Sequence, residues 1–149
     1  MVEDEVMAPF WMDLGERWEI DAQYFKLWPV CRWAQPALTA VSQMMSSCPE
    51  GIEADAIEHI RVETLHESMR LQGHAPASSD EAQYGLAFPL AAMIIRGRLG
   101  ACEVSGEALH DEQILSLSQR IEIVEVADLS ARFPAEILSR VHLTFKNGR

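Results

Sequence analysis

The chain has 149 residues, 48% of them hydrophobic, and a formal net charge of −11 from 12 basic and 23 acidic side chains. That length suits one domain with a real core, and that hydrophobic fraction argues against a disordered chain. The acidic balance repels a phosphate backbone, so nucleic acid is not an expected partner. The longest apolar run, Leu86 to Ile95, is interrupted by Pro89 and ends at Arg96, too short to cross a bilayer, so no membrane association is expected.

Residues 1–13 mix acidic and bulky apolar groups without a period and read as a loosely docked or disordered lead-in. Met1-Val-Glu-Asp-Glu is acidic where a secretion signal needs a basic region. Leu14, Trp18, Ile20 and Phe25 follow irregularly, as in a short helix passing into a strand or loop. Pro29 closes a loop, and Pro36 suits the first turn of a helix, where its missing donor costs nothing. Ala37, Leu38, Ala40, Val41, Met44 and Met45 continue at helical spacing until Ser46-Ser47-Cys48-Pro49-Glu50-Gly51 stops the helix. After a short acidic turn at Glu53 to Ala56, Ile60, Val62 and Thr64 alternate with His59, Arg61 and Glu63, which predicts a strand with one apolar face.

Ser78 with Glu81 three residues on is a capping-box signal. The spacing predicts one buried helix from there to Arg96-Gly97, kinked or marked by an irregular turn at Pro89. His110-Asp111 can cap a short helix carrying Ile114, Leu115 and Leu117. Ile121, Ile123, Val124 and Val126 predict a second strand. Val141, Leu143 and Phe145, alternating with Arg140, His142 and Thr144, predict a third, with Phe133-Pro134 in the connection. The sum is an α+β domain with a small, mostly antiparallel sheet and helices on one face. Lys146-Asn147-Gly148 is a hairpin signal without a following strand, which suggests a truncated chain or a last edge paired by something else.

The segment Tyr24–Thr39 concentrates the chemistry. It sets Lys26, Cys31 and Arg32 within seven residues, fenced by Trp28, Pro29 and Trp33. Leu14-Gly-Glu-Arg-Trp-Glu-Ile, then Tyr24-Phe-Lys, Cys31-Arg-Trp and Pro36-Ala, resemble the lysine-bearing loop of the MmgE/PrpD family and its approach. That family includes 2-methylcitrate dehydratases, cis-aconitate decarboxylases and iminodisuccinate epimerases. Ile60-Arg-Val-Glu-Thr, Pro76-Ala with Glu81-Ala-Gln-Tyr, Arg120-Ile-Glu-Ile, Ala131-Arg-Phe-Pro-Ala, Arg140-Val-His-Leu-Thr and Asn147-Gly-Arg resemble the rest of its C-terminal domain in order and spacing.

The resemblance, over roughly residues 14–149, implies a small lid-like domain that packs on a larger helical domain, with the active site between them. It implies proton removal or transfer next to a carboxylate of a citrate-like acid, without a metal or other cofactor. Several of the acid/base groups belong to the helical domain, which is not in this chain.

Lys26 aligns with the family's active-site lysine and could hold a carboxylate; the alternative is a surface lysine packing its stem on Trp28. Cys31 is a second catalytic candidate, with its thiol between Lys26 and Arg32, against the plainer reading of a small buried apolar group. Arg32 could grip a carboxylate in two-pronged fashion, though an ion pair with one of the many acidic side chains is the preferred reading. Tyr84 and Phe88, at helical spacing, are candidate cleft residues or simply core. Gln35 departs from the family, which often has a histidine there, and glutamine transfers no proton at neutral pH. His59, His66, His74, His110 and His142 show no metal or triad spacing and read as surface or structural. Cys31, Cys48 and Cys102 show no metal spacing either and read as reduced thiols of a cytoplasmic protein.

Two functions follow as expectations. The chain is a free-standing lid-like domain, inactive alone, acting through self-association or a helical partner chain. Alternatively it is one component of a split dehydratase, decarboxylase or epimerase acting on a small polycarboxylate. A folded remnant without a role is the bland third option.

Overall fold

The computed structural model of the protein describes residues 8–9, 11–48 and 51–148. Residues 1–7 and 10 of the lead-in, Pro49 and Glu50 of the helix stop, and Arg149 lie outside that set. The fold is α+β, as expected. Its helices are α1 (Gln35–Ser47), α2 (Ser79–Gln83), α3 (Ala87–Arg96), α4 (Glu112–Ser118) and α5 (Ala127–Ser130), joined by short 3-10 turns. Its strands are β1 (Ile57–Thr64), β2 (Ile121–Glu125) and β3 (Arg140–Phe145), in the sheet order β2-β1-β3.

The sheet is mixed, not mostly antiparallel. β1 pairs with β3 antiparallel, with Val62 opposite Val141, and with β2 parallel, with Val62 opposite Ile123. A parallel partner needs a crossover, and the stretch carrying α2, α3 and α4 supplies one. The alternation read from β1 is realised. Ile60, Val62 and Thr64 face the core, while Arg61 and Glu63 face the open side. There Arg61 pairs with Glu122 at 2.9 Å and Arg140 with Glu63 at 3.2 Å.

The core gathers Leu38 and Val41 of α1, Ile60 and Val62 of β1, Ile114 and Leu117 of α4, and α3. Ala87 through Ile94 of α3 are all buried, so this is the central helix the sequence predicted. Burying a side chain such as Phe88 is worth about 1.5–3 kcal/mol. Gly97, in the left-handed region at φ 69°, stops the helix as read.

The predicted single helix from Ser78 to Arg96 is instead two helices, and the interruption lies at Tyr84–Leu86, not at Pro89. Pro89 falls in the first turn of α3, where its absent N–H has no intrahelical partner to lose. Carbonyls of the preceding loop cap this helix: Leu86, Ala87 and Phe88 donate to the oxygens of Leu71 (2.7 Å), Gln72 (3.2 Å) and Gly73 (3.1 Å). The loop reaches that close because Gly73 and Gly85 meet with no side chain between them. The capping box at α2 forms with a shift of one residue. Ser78 Oγ accepts from the Glu81 N–H at 3.2 Å, and the Glu81 carboxylate accepts from the N–H of Ala77 at 2.8 Å.

Asp111 caps α4 as expected, accepting from the N–H groups of Gln113 and Ile114. At the far end of β3 the N–H of Gly148 closes a turn onto the carbonyl of Phe145 at 2.8 Å. Ahead of the core the chain is different in kind. From Leu14 to Leu27 every residue is exposed, among them Trp18, Ile20, Tyr24 and Phe25, and among the described residues the first core residue is Val30.

Candidate functional site

The loop before α1 makes a cationic hollow that fits the chemistry read from the sequence. Tyr24, Phe25, Lys26, Leu27, Arg32, Gln35, Pro36, Thr39 and Ile137 line a cavity of about 330 Å³. Lys26 lies exposed at its rim. The Arg32 guanidinium sits over the ring of Tyr24, 4.8 Å from its centre, in a cation–π contact. That contact stands where an acidic partner was expected, and Arg32 makes no ion pair among the described residues.

The loop's shape comes from backbone and amide hydrogen bonds. The N–H of Val30 donates to the carbonyl of Trp28 at 2.8 Å, a three-residue turn. The Gln35 side chain sits beneath it: Nε2 donates to the carbonyls of Trp28 (3.0 Å) and Val30 (3.2 Å), and Oε1 accepts from the N–H of Trp28 at 3.4 Å. The N–H of Cys31 donates to the carbonyl of Gln83 at 2.7 Å, tying the loop to the end of α2. Trp28, Cys31 and Trp33 are partly buried against the core.

These placements separate the candidates. Lys26 and Arg32 meet at one hollow. Cys31 packs on the core and does not line it, the small apolar role. Tyr84 and Phe88 do not line it either. They fall on opposite sides of the Gly85 break, so helical spacing no longer relates them: Tyr84 is 69% exposed and Phe88 is fully buried. Tyr84 is therefore not core. Thr39 and Ile137 were missed. Thr39 lies one helical turn after Gln35 and was readable from that spacing, its hydroxyl donating to the Gln35 carbonyl at 2.9 Å. Ile137 comes from the distant connection between α5 and β3, and no local pattern points to it.

Among the described residues no imidazole or carboxylate lines the hollow. Four of the five histidines, His59, His66, His74 and His142, are engaged elsewhere. His66 Nδ1 meets Glu125 at 2.9 Å, and this hydrogen bond, then the carboxylate's field, raises the imidazole's pKa. Glu125 is lowered by His66 first and then by the Ser130 hydroxyl. His74 donates to the Ser118 carbonyl at 2.8 Å, and His142 lies 3.8 Å from Glu63. Glu63, on the open face of the sheet, is held below the usual carboxylate range chiefly by its hydrogen bond to Arg140. Among the described residues no group of three or more His, Cys, Asp and Glu side chains could hold a metal ion, and no helix is long and apolar enough to cross a membrane.

Together these features define a small α+β domain with a cationic hollow at the entry to its first long helix. The chain belongs to the MmgE/PrpD family: residues 28–149 match the MmgE/PrpD C-terminal domain. The match begins at Trp28, so Lys26 and the exposed stretch ahead of it precede the matched span. A comparison with curated proteins gave no match.

Proposed function

We propose that this chain serves as a lid-type MmgE/PrpD domain, inactive alone, that works by seating on another surface, either a second copy or a helical domain. The observation that carries this reading is the run Trp11, Met12, Leu14, Trp18, Ile20, Tyr24, Phe25 and Leu27, each more than half exposed. Among the described residues only Tyr84 joins them as an exposed large hydrophobic. Apolar surface so concentrated is the usual mark of an interaction site. Sedimentation velocity across concentrations, with and without a helical domain of the family, tests it. A mass that rises with concentration, or a complex with the helical domain, is expected; a strict monomer in both series overturns the reading.

The hollow favours a second reading, a component of a split dehydratase, decarboxylase or epimerase acting on a small citrate-like polycarboxylate. A chain of net charge −11 repels such a substrate at long range, so a site for it needs cations gathered locally, and Lys26 with Arg32 supplies them. Neither imidazole nor carboxylate lines the hollow among the described residues, and in this reading the base comes from the other chain. Activity on 2-methylcitrate or cis-aconitate that needs both chains and is lost in Lys26→Ala supports this; unchanged activity of Lys26→Ala removes Lys26 from the mechanism. A cytoplasmic setting, which keeps Cys31, Cys48 and Cys102 as free thiols, accompanies both readings.

A further inference from the structure

We infer that Gln35 is a positioning residue: its side-chain amide locks the Trp28–Val30 turn and so holds Lys26 and Arg32 at the rim of one hollow. The inference rests on the second reading above, in which that hollow takes a carboxylate.

Lys26 sits between two fastenings. On one side Tyr24 is tied to Arg32 through the ring–guanidinium contact at 4.8 Å. On the other, both the N–H and the carbonyl of Trp28 are bound by the Gln35 amide. Arg32 lies in the 3-10 turn Arg32–Ala34 that runs directly into α1 at Gln35, so both fastenings lead to the same helix end. One residue separates Lys26 from each anchor, which leaves its backbone little room to wander.

The chemistry of the anchor is specific. The Gln35 amide offers donors to two carbonyls and an acceptor to one N–H. An ionised carboxylate has no donor and would face two carbonyl oxygens. An alanine offers nothing. Only a neutral side chain with both a donor and an acceptor can hold this turn, and glutamine stays neutral at every physiological pH. The glutamine that cannot move a proton is thus the group that places the lysine.

Gln35→Glu and Gln35→Ala, each checked for native melting, test this with citrate as the probe, in titration calorimetry on the full chain, with the helical domain present if binding requires it. Both variants are expected to bind citrate at least tenfold more weakly than wild type at neutral pH. Expressed relative to wild type at the same pH, Gln35→Glu regains affinity as the pH is lowered through its carboxyl titration, because protonation restores a donor, while Gln35→Ala does not. Wild-type affinity in either variant, or the same relative pH profile in both, overturns the inference. Should wild type itself not bind citrate, the carboxylate reading fails. Hydrogen exchange then judges the anchor alone: exchange around Trp28–Cys31 at least tenfold faster in Gln35→Ala, with β1 unchanged, upholds it, and unchanged loop exchange refutes it.

Discussion

A Cβ placed on Gly73 would lie 2.7 Å from the Cα of Gly85, so the two glycines pack backbone against backbone. This contact lets the 71–73 loop deliver its carbonyls to the first N–H groups of α3. Gly73 also holds φ at +49°, in the left-handed region. Gly73→Ala therefore meets both strain and overpacking and is expected to destabilise the fold by roughly 2–5 kcal/mol. Gly106→Ala, at φ +59° with nothing nearby, carries the backbone cost alone, about 1–2 kcal/mol. Denaturant midpoints with unchanged slopes would measure both, and equal losses would remove the close contact as a cause.

The two residues expected to share a face at the site should part company in stability. Phe88→Ala empties a fully buried position and is expected to cost about 3–5 kcal/mol. Tyr84→Ala changes an exposed side chain and should stay within about 0.5 kcal/mol of wild type. Thermal melts of the two variants check this.

Asp111 both caps α4 and pairs with Arg96 at the end of α3. Asp111→Asn keeps the cap and loses the pair, so a loss of at most about 1 kcal/mol is expected. Asp111→Ala loses both and should cost about 1 kcal/mol more than the asparagine variant. Chemical denaturation of the pair separates the cap from the charge.

The His66–Glu125 contact gives the fold a pH signature. The folded chain holds the His66 proton more tightly, so that contribution is whole below the unfolded value of 6.5 and fades as pH rises through the raised one. Glu125 behaves in the opposite sense, whole above 4.5 and fading as pH falls through its lowered value. The pair thus helps most between those values. In melting curves, the gap between wild type and His66→Gln should be widest there and narrow at mildly alkaline pH. A gap independent of pH would show that the contact does not couple to folding.

Local patterns carried much of this fold, and contacts across space carried the rest. The alternation in β1 and β3, Pro36 at the start of α1, Asp111 as a cap and Gly97 as a stop are each legible within a few residues. The break at Gly85 is not, because its cause, Gly73, lies in a different loop. Nor is the parallel pairing of β2, which depends on the path of an intervening crossover. At the site the sequence spacing of Lys26 and Arg32 made their proximity readable. Ile137 was beyond reach, and Tyr84 and Phe88 were linked by a helix that the Gly85 break divides. Gln35 was read for the proton it cannot carry, whereas its importance lies in the three backbone groups it can bind.

The central position of β1 has a consequence for synthesis. Its neighbours arrive late: 61 positions separate Arg61 from Glu122, and 77 separate Glu63 from Arg140. A ribosome adding about 5–20 residues per second needs roughly 4–15 s to cover the longer gap. Until β2 is made the nascent chain carries an apolar strand with both edges bare, and until β3 is made one edge stays bare. The sheet therefore waits for β3 to be made, and until then β1 is open to pairing with a foreign edge.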